Sequence, residues 1–141
     1  MQSAQLDFLS LSMPGQFLFR IMSLAIKGEN MEVIKYQNVE FKRSGWGVKA
    51  RPVVSIPEIN IMNLVLEPGE VVPAHKTPVN VHFQIMEGKG TVVIGEQSAV
   101  VGVGDIVFSP LQIPHSLIAD QGSVFSVFVI KTPNPQMSAV K

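Results

Sequence analysis

Residues 68–90, PGEVVPAHKTPVNVHFQIMEGKG, decide the fold. The stretch opens with a Pro-Gly turn, reaches His75, alternates apolar and polar residues, and closes in a Gly-rich turn. Residues 104–115, GDIVFSPLQIPH, repeat that order with a Gly-Asp turn, a short apolar strand, a proline and His115. The remaining histidine of the chain, His82, also lies in the first stretch. We therefore expect a shared site built by two strand–turn units.

The composition favours one domain with a well-filled interior. The chain has 141 residues, of which 46% are hydrophobic and 16% charged, and this length can bury a core without disulfides. Such apolar character also predicts surface that a second subunit covers, so we expect a homodimer. Eleven basic and eleven acidic residues balance, so neither nucleic acid nor an anionic membrane is an expected partner.

The chain contains no cysteine. Disulfides, thiolate catalysis, zinc fingers and iron–sulfur clusters are therefore excluded, and any metal must be bound by histidine, carboxylate, amide or water. Asp7 and Arg20 interrupt the N-terminal apolar residues where a signal peptide would be uncharged. We therefore expect a cytoplasmic protein.

The pattern divides the chain into three segments. Residues 1–30 form an N-terminal arm, in which apolar residues near helical spacing at 16–26 predict a short amphipathic helix. An alternative is that this arm precedes the natural start of the protein. Residues 31–131 form the main domain, and the polar, proline-containing residues 132–141 form a tail that we expect to run over the surface.

From residue 31 onward the apolar residues recur with a period of two, which predicts β-strands. Strands are expected over 31–36, 39–41, 48–54, 59–66, 71–74, 81–86, 91–94, 99–101, 106–108, 116–118 and 124–131. Pro52 makes its strand an edge strand, because proline cannot donate a ladder hydrogen bond. Short strands with turn signals between them, and no alternating helices, predict an all-β antiparallel barrel or sandwich.

Residues 59–131 resemble the cupin superfamily, whose members are small antiparallel jelly-roll barrels. Two ordered motifs carry the resemblance, each opening with a glycine and containing a histidine. The matching positions are Gly69, His75 and Gly88 in the first motif and Gly104, Pro110 and His115 in the second. The resemblance implies a jelly-roll (cupin) β-barrel with its site in the barrel mouth.

The departures from the cupin motifs fall on the metal ligands. In metal-binding cupins these are two His and a Glu or Gln of the first motif and the His of the second. Here Thr77 stands at the second His position and Val81 at the Glu position, so strict alignment leaves only His75 and His115. Two imidazoles are a poor cage for a divalent ion, and Thr77 is expected to line the pocket. Gln112 replaces a glycine of the second motif.

The orientation of His82 decides between two arrangements. In the aligned register Val81, Phe83 and Ile85 point into the barrel, while His82 and Gln84 point outward. A one-residue shift, through a bulge near Pro78, would turn His82 inward beside the two other histidines. Three histidines could then bind Fe, Zn, Ni or Mn.

Three functions are compatible with these residues. The first is a small-molecule-binding barrel with a depleted metal site. Its pocket would be lined by His75, Thr77, Phe83, Gln84, Ile85, Gln112 and His115. The second is a metal-dependent cupin enzyme of the dioxygenase or isomerase type, with His75, His82 and His115 as ligands. The third is a dimeric structural or interaction protein.

Overall fold

The computed structural model describes residues 30–137. The helix expected at 16–26 lies outside the described residues. The barrel belongs to a unit that begins at Tyr36, and residues 30–35 of the preceding unit have no regular secondary structure.

Ten strands and one short 3-10 helix, Tyr36–Asn38, form the described unit. The strands are β1 Lys42–Arg43, β2 Lys49–Ile56, β3 Ile59–Leu66, β4 Val71–His75, β5 Asn80–Glu87, β6 Lys89–Ile94, β7 Gln97–Gly102, β8 Ile106–Ser109, β9 His115–Ala119 and β10 Phe125–Thr132. Each strand predicted from residue 48 onward is therefore present, within about two residues at either end. Between residues 30 and 137 no helix has the length and apolar character needed to cross a membrane.

The two earliest strand predictions need correction. Residues 31–36 form no strand, and the strand expected at 39–41 is the two-residue β1 just after it. Met31 and Val33 are 75% and 67% exposed, so the alternating pattern there buries no apolar face. A strand without a buried face or a partner gains too little free energy to order its backbone.

The strands form two antiparallel sheets, one of six strands in the order β1-β2-β3-β10-β5-β8 and one of four in the order β4-β9-β6-β7. The prediction of an all-β antiparallel fold is confirmed. Strand β1 pairs only with Lys49 and Ala50, so the rest of β2, residues 51–56, lies at the edge of the sheet. Its pairing with β3 slips by one residue between Pro52 and Val54, where proline leaves the ladder.

The inner faces of the two sheets form the core. On β5 the inward residues Val81, Phe83 and Ile85 are at most 2% exposed, and the residues between them are more exposed. This alternation matches the register expected from aligning the first cupin motif, in which the odd-numbered residues of β5 point into the barrel. Strand β10 contributes Phe125 and Val127 to the same core, each fully buried.

The start of the tail is anchored to the barrel through one buried residue, while Pro133, Gln136 and Met137 are exposed. Asn134 is fully buried; its backbone N–H donates to the Pro57 carbonyl (3.0 Å), and its side-chain amide donates to Ser55 Oγ (3.1 Å). Its side-chain oxygen accepts from the Gln136 backbone N–H (3.0 Å). Satisfied hydrogen bonds are what allow a polar side chain to be buried, so the tail packs on the β2–β3 turn.

Candidate functional site

The histidines of the two motifs meet. His75 ends β4, His115 begins β9, and the two residues pair directly across the sheet. Their Nε2 atoms lie 3.3 Å apart, and the rings meet edge to face with centroids 4.6 Å apart. The structure therefore brings His75 and His115 together.

An irregularity in β4 turns His75 toward the interior. Val72 is buried and pairs with Leu117, whereas His75 pairs with His115, so one extra residue lies in β4 between the two pairs. Side chains alternate along a regular strand, so a residue three positions after Val72 would face outward. The extra residue reverses that alternation and brings the His75 imidazole over β9.

Hydrogen bonds determine where the protons sit on these rings. His75 Nδ1 lies 3.0 Å from the Pro73 carbonyl oxygen, which can only accept, so Nδ1 carries the proton. The Nε2 atom of neutral His75 is then an acceptor, and His115 Nε2–H donates to it. His115 Nδ1 is left as an acceptor for the Ser109 hydroxyl, 2.8 Å away. The inferred chain of donors therefore runs from Ser109 through both imidazoles to Pro73.

Thr77 completes the polar surroundings of His115. Its hydroxyl lies 3.4 Å from His115 Nε2, and the residue is 5% exposed. The carbonyl of Thr77 accepts from the backbone N–H of Gln112 (2.8 Å). Gln112 itself is exposed and adopts a left-handed conformation with φ of 65°. Gln112 therefore does not line the cavity; it contributes only a backbone hydrogen bond that holds Thr77 in place.

A cavity of about 40 Å3 opens beside the two imidazoles. Its walls are mainly apolar and include Met62, Phe83 and Val129. The polar groups on the walls are His75, His115, Ser116, Lys131 and the indole of Trp46. Ligand sites are typically apolar concavities with a few converging polar groups, and this cavity has such a lining on a small scale.

Sequence reasoning missed Trp46 and Lys131. Trp46 lies in the turn before β2, is 42% exposed, and covers His75 with ring centroids 4.4 Å apart at 32°. It is the single tryptophan of the chain, which was a signal of interest by itself. Lys131 follows Val129 by two residues on β10, so strand periodicity already placed it on the inward face.

The surroundings keep His115 neutral. Burial is the main cause that lowers the pKa of His115 to about 4, and the charge interactions with His75 and Lys131 contribute to that shift in the same direction. Burial also lowers the pKa of Lys131. No Asp or Glu is among the described residues that line the cavity. The site therefore combines neutral or cationic groups with no counter-charge of its own.

The structure does not bring His82 to the other histidines. His82 lies on the outer face of β5 and packs against Phe108, with ring centroids 5.1 Å apart. Gln84 is on the same outer face, and Ile85 belongs to the closed core. Across residues 30–137 no three His, Cys, Asp or Glu residues cluster to hold a metal. The alternative in which His82 turns inward to form a three-histidine site is therefore not what the structure shows. Strand β5 keeps the aligned register, so its even-numbered side chains point outward.

A divalent metal, which the cupin resemblance implies, fits this site only in part. Two nitrogens bound to one tetrahedral ion at ~2.0–2.1 Å lie about 3.3–3.4 Å apart, close to the observed separation. Pro73 and Ser109 would orient the rings from behind. However, two imidazoles are fewer than the three or four protein ligands of zinc sites, and an ammonium lines the same cavity. Residues 30–137 therefore do not by themselves make a resident metal site.

Comparison with known proteins places the barrel in a family. A family model described as the cupin domain matches residues 62–131. An uncharacterized protein of Methanocaldococcus jannaschii is 28% identical over 98 residues, covering 69% of this chain and 84% of that protein. Its solved structure, described as an RmlC-like cupin with a double-stranded beta-helix fold, shows 29% identity and a TM-score of 0.59. That superposition covers 77% of this chain and 96% of the other.

More distant structures share the fold alone. The polyketide cyclase RemF of Streptomyces resistomycificus superposes with a TM-score of 0.66 at 16% identity, covering 73% of this chain and 80% of its own. A predicted oxalate decarboxylase of Thermotoga maritima gives 0.65 at 16% identity, with coverages of 72% and 99%. The domain match, the two-sheet topology and these relatives agree, and the chain belongs to the cupin family.

Proposed function

We propose that this barrel binds a small organic molecule in the cavity beside His75 and His115, without a resident divalent metal. One observation supports this most directly: two imidazoles with assigned donor and acceptor atoms converge on a mainly apolar cavity. Buried polar groups that converge in an apolar pocket orient a ligand, while the walls exclude water.

The two ring nitrogens offer complementary hydrogen bonds. In the assigned arrangement His115 Nε2 donates and His75 Nε2 accepts. A ligand that enters between them replaces this weak bond of 3.3 Å with a bond of its own to one or both ring nitrogens. Trp46 covers His75 at the mouth, so a planar group can stack on the indole. The site is suited to a compact polar molecule with a flat or short carbon skeleton.

The cavity volume bounds the ligand and its affinity. About 40 Å3 has room for about three waters or an organic group of similar size. The best small ligands gain up to about 1.5 kcal/mol per non-hydrogen atom, so a four-atom group reaches about 6 kcal/mol. We therefore expect dissociation constants between about 40 μM and the millimolar range.

Binding can be tested with Trp46 as an internal probe, because it is the only tryptophan of the chain. Acetate, acetamide, pyruvate and acetone would be titrated while fluorescence and thermal unfolding are followed. We expect at least one of them to change the emission and raise Tm, and His75→Ala to abolish both effects. His82→Ala is the matched control, because it removes a histidine from the outer face. No response to any of the four, or a response that survives His75→Ala, would contradict the proposal.

A second candidate is a metal-dependent cupin enzyme with a two-histidine site, since the separation of the Nε2 atoms suits one ion. Besides the two imidazoles this site would offer an ion only Thr77 and water, and a neutral hydroxyl binds a metal weakly. Metal content after incubation with iron, zinc, nickel or manganese tests this by mass spectrometry. Near-stoichiometric metal that is lost in His75→Ala and kept in His82→Ala would replace the metal-free proposal with this one.

A further inference from the structure

We infer that the bound molecule is a small organic carboxylate, and that the ammonium group of Lys131 holds its charge; this rests on the proposed binding function. The inference begins with the position of Lys131. It lies near the end of β10, two residues after inward-facing Val129 and four after fully buried Val127. Its neighbours across the sheet are Val81 on β5 and Asn60 on β3. Lys131 is thus a lysine on the core face of a central strand.

Lys131 lacks a compensating anion in the described part of the chain. The one ion pair within residues 30–137 joins Lys49 to Glu67 at 2.9 Å, and Lys131 donates no hydrogen bond there. No carboxylate is among the residues of that range that line the cavity. A partly buried charge without a partner is costly, and burial already lowers the pKa of this amine. An anion that enters the cavity removes that cost.

The other groups at the cavity favour an anion over a cation. An imidazole carries no negative charge, so neither His75 nor His115 repels an anion, and Lys131 acts on His115 as a positive charge. A divalent cation would meet only neutral donors and an ammonium, whereas a carboxylate would meet Lys131 and the His115 Nε2 proton. Charge complementarity therefore selects the ligand class.

The walls select a carboxylate from among the anions. A single ammonium balances one negative charge, whereas phosphate or sulfate would bring close to two. The side chains of Met62, Phe83 and Val129 offer no hydrogen bonds to the extra oxygens of such ions, but they can pack against a short carbon skeleton. The small volume limits the buried part of the ligand to the carboxylate and about one further atom or two.

The test compares isosteric acid and amide pairs, acetate with acetamide and pyruvate with pyruvamide, by Trp46 fluorescence and calorimetry. In the wild type we expect the acid to bind at least about tenfold more tightly than its amide. In Lys131→Met, which keeps an apolar side chain of similar length, the preference should fall to about twofold or less. Lys131→Arg should retain it, since the charge remains. Lys49→Met is the control, because it removes an ammonium that is paired at the surface.

Each outcome separates this inference from the binding function. If acid and amide bind equally to the wild type, with binding lost in His75→Ala, the pocket is real but the carboxylate assignment is overturned. The same holds if Lys131→Met keeps the acid preference. If neither these four compounds nor acetone binds the wild type, both proposals fail. The acid–amide comparison on the wild type needs no variant, so it decides the ligand class even where a substitution prevents folding.

Discussion

At the scale of a single residue, the burial of His115 links the site to the stability of the fold. Its pKa is about 4 in the folded barrel, against an ordinary value of 6.5. Below pH 6.5 the unfolded chain binds a proton that the folded chain does not, so stability falls as the pH falls from 6.5 to about 4. One pKa unit corresponds to about 1.4 kcal/mol, so after allowance for solvent at the cavity the loss is about 2–3 kcal/mol.

Urea unfolding at several pH values between 4 and 7 measures this loss. Carboxylates titrate in part of the same range, so the informative quantity is the difference between the wild type and His115→Gln. We expect the variant to be less stable at pH 7 and to lose less stability on acidification. Parallel curves for the two proteins would show that His115 does not titrate in this way.

Gln112 shows a second residue-scale effect, a side chain in a conformation that favours glycine. Its φ is 65°, and it occupies the position where the second cupin motif has glycine. Left-handed backbone costs about 1–2 kcal/mol for most residues, while glycine costs about 0.5–1 kcal/mol in unfolded-state entropy. We therefore expect Gln112→Gly to raise the free energy of unfolding by up to about 1 kcal/mol, and Gln112→Val to lower it. Chemical denaturation would show the opposite order if the side chain made a stabilising contact.

At the scale of elements, the turn between β5 and β6 is closed by a glycine that nothing larger can replace. Gly88 has φ of 77°, and a Cβ there would lie about 1.7 Å from the Val124 carbonyl oxygen. Gly104 has φ of 94°, but a Cβ there would meet nothing within 4 Å. An alanine at Gly88 would suffer both a steric clash and backbone strain, whereas an alanine at Gly104 would suffer backbone strain alone.

We expect Gly88→Ala to destabilise the barrel by more than about 3 kcal/mol, because the backbone of the β9–β10 connection must move. Gly104→Ala should cost about 1–2 kcal/mol, since only the left-handed conformation is penalised. Thermal and urea unfolding of both variants measures the difference. Equal losses would mean that the turn around Gly88 yields easily and that the close approach to Val124 carries little energy.

At the scale of the whole molecule, the homodimer expected from the apolar composition stays a prediction. Ile106 and Phe108 on edge strand β8 are 62% and 51% exposed, and exposed apolar edges favour association. We expect sedimentation equilibrium to give a mass near twice the 15.4 kDa of the chain at micromolar concentration. A mass near 15.4 kDa across that range would show a monomer.

Most of the fold was predictable because its signals are local. Period-two alternation located β2 to β10, and it also gave the inward face of β5 through Val81, Phe83 and Ile85. Of the residues expected in a pocket, His75, Phe83 and His115 line the cavity, whereas Thr77 contacts His115 without lining it. Gln84 was placed in the pocket although the same alternation points it outward.

The sequence by itself determined the strands, their alternation and the likeness to cupins, because these depend on residue type and short spacing. Only the tertiary structure decided that the extra residue in β4 turns His75 inward and that Trp46 covers it. It also decided that Lys131 shares a cavity with both histidines. These contacts are between residues far apart in sequence. They form only when the strands pair and the two sheets bury their inner faces against each other. No local sequence pattern gives the distance between the Nε2 atoms of His75 and His115, because that distance is fixed only when the barrel closes.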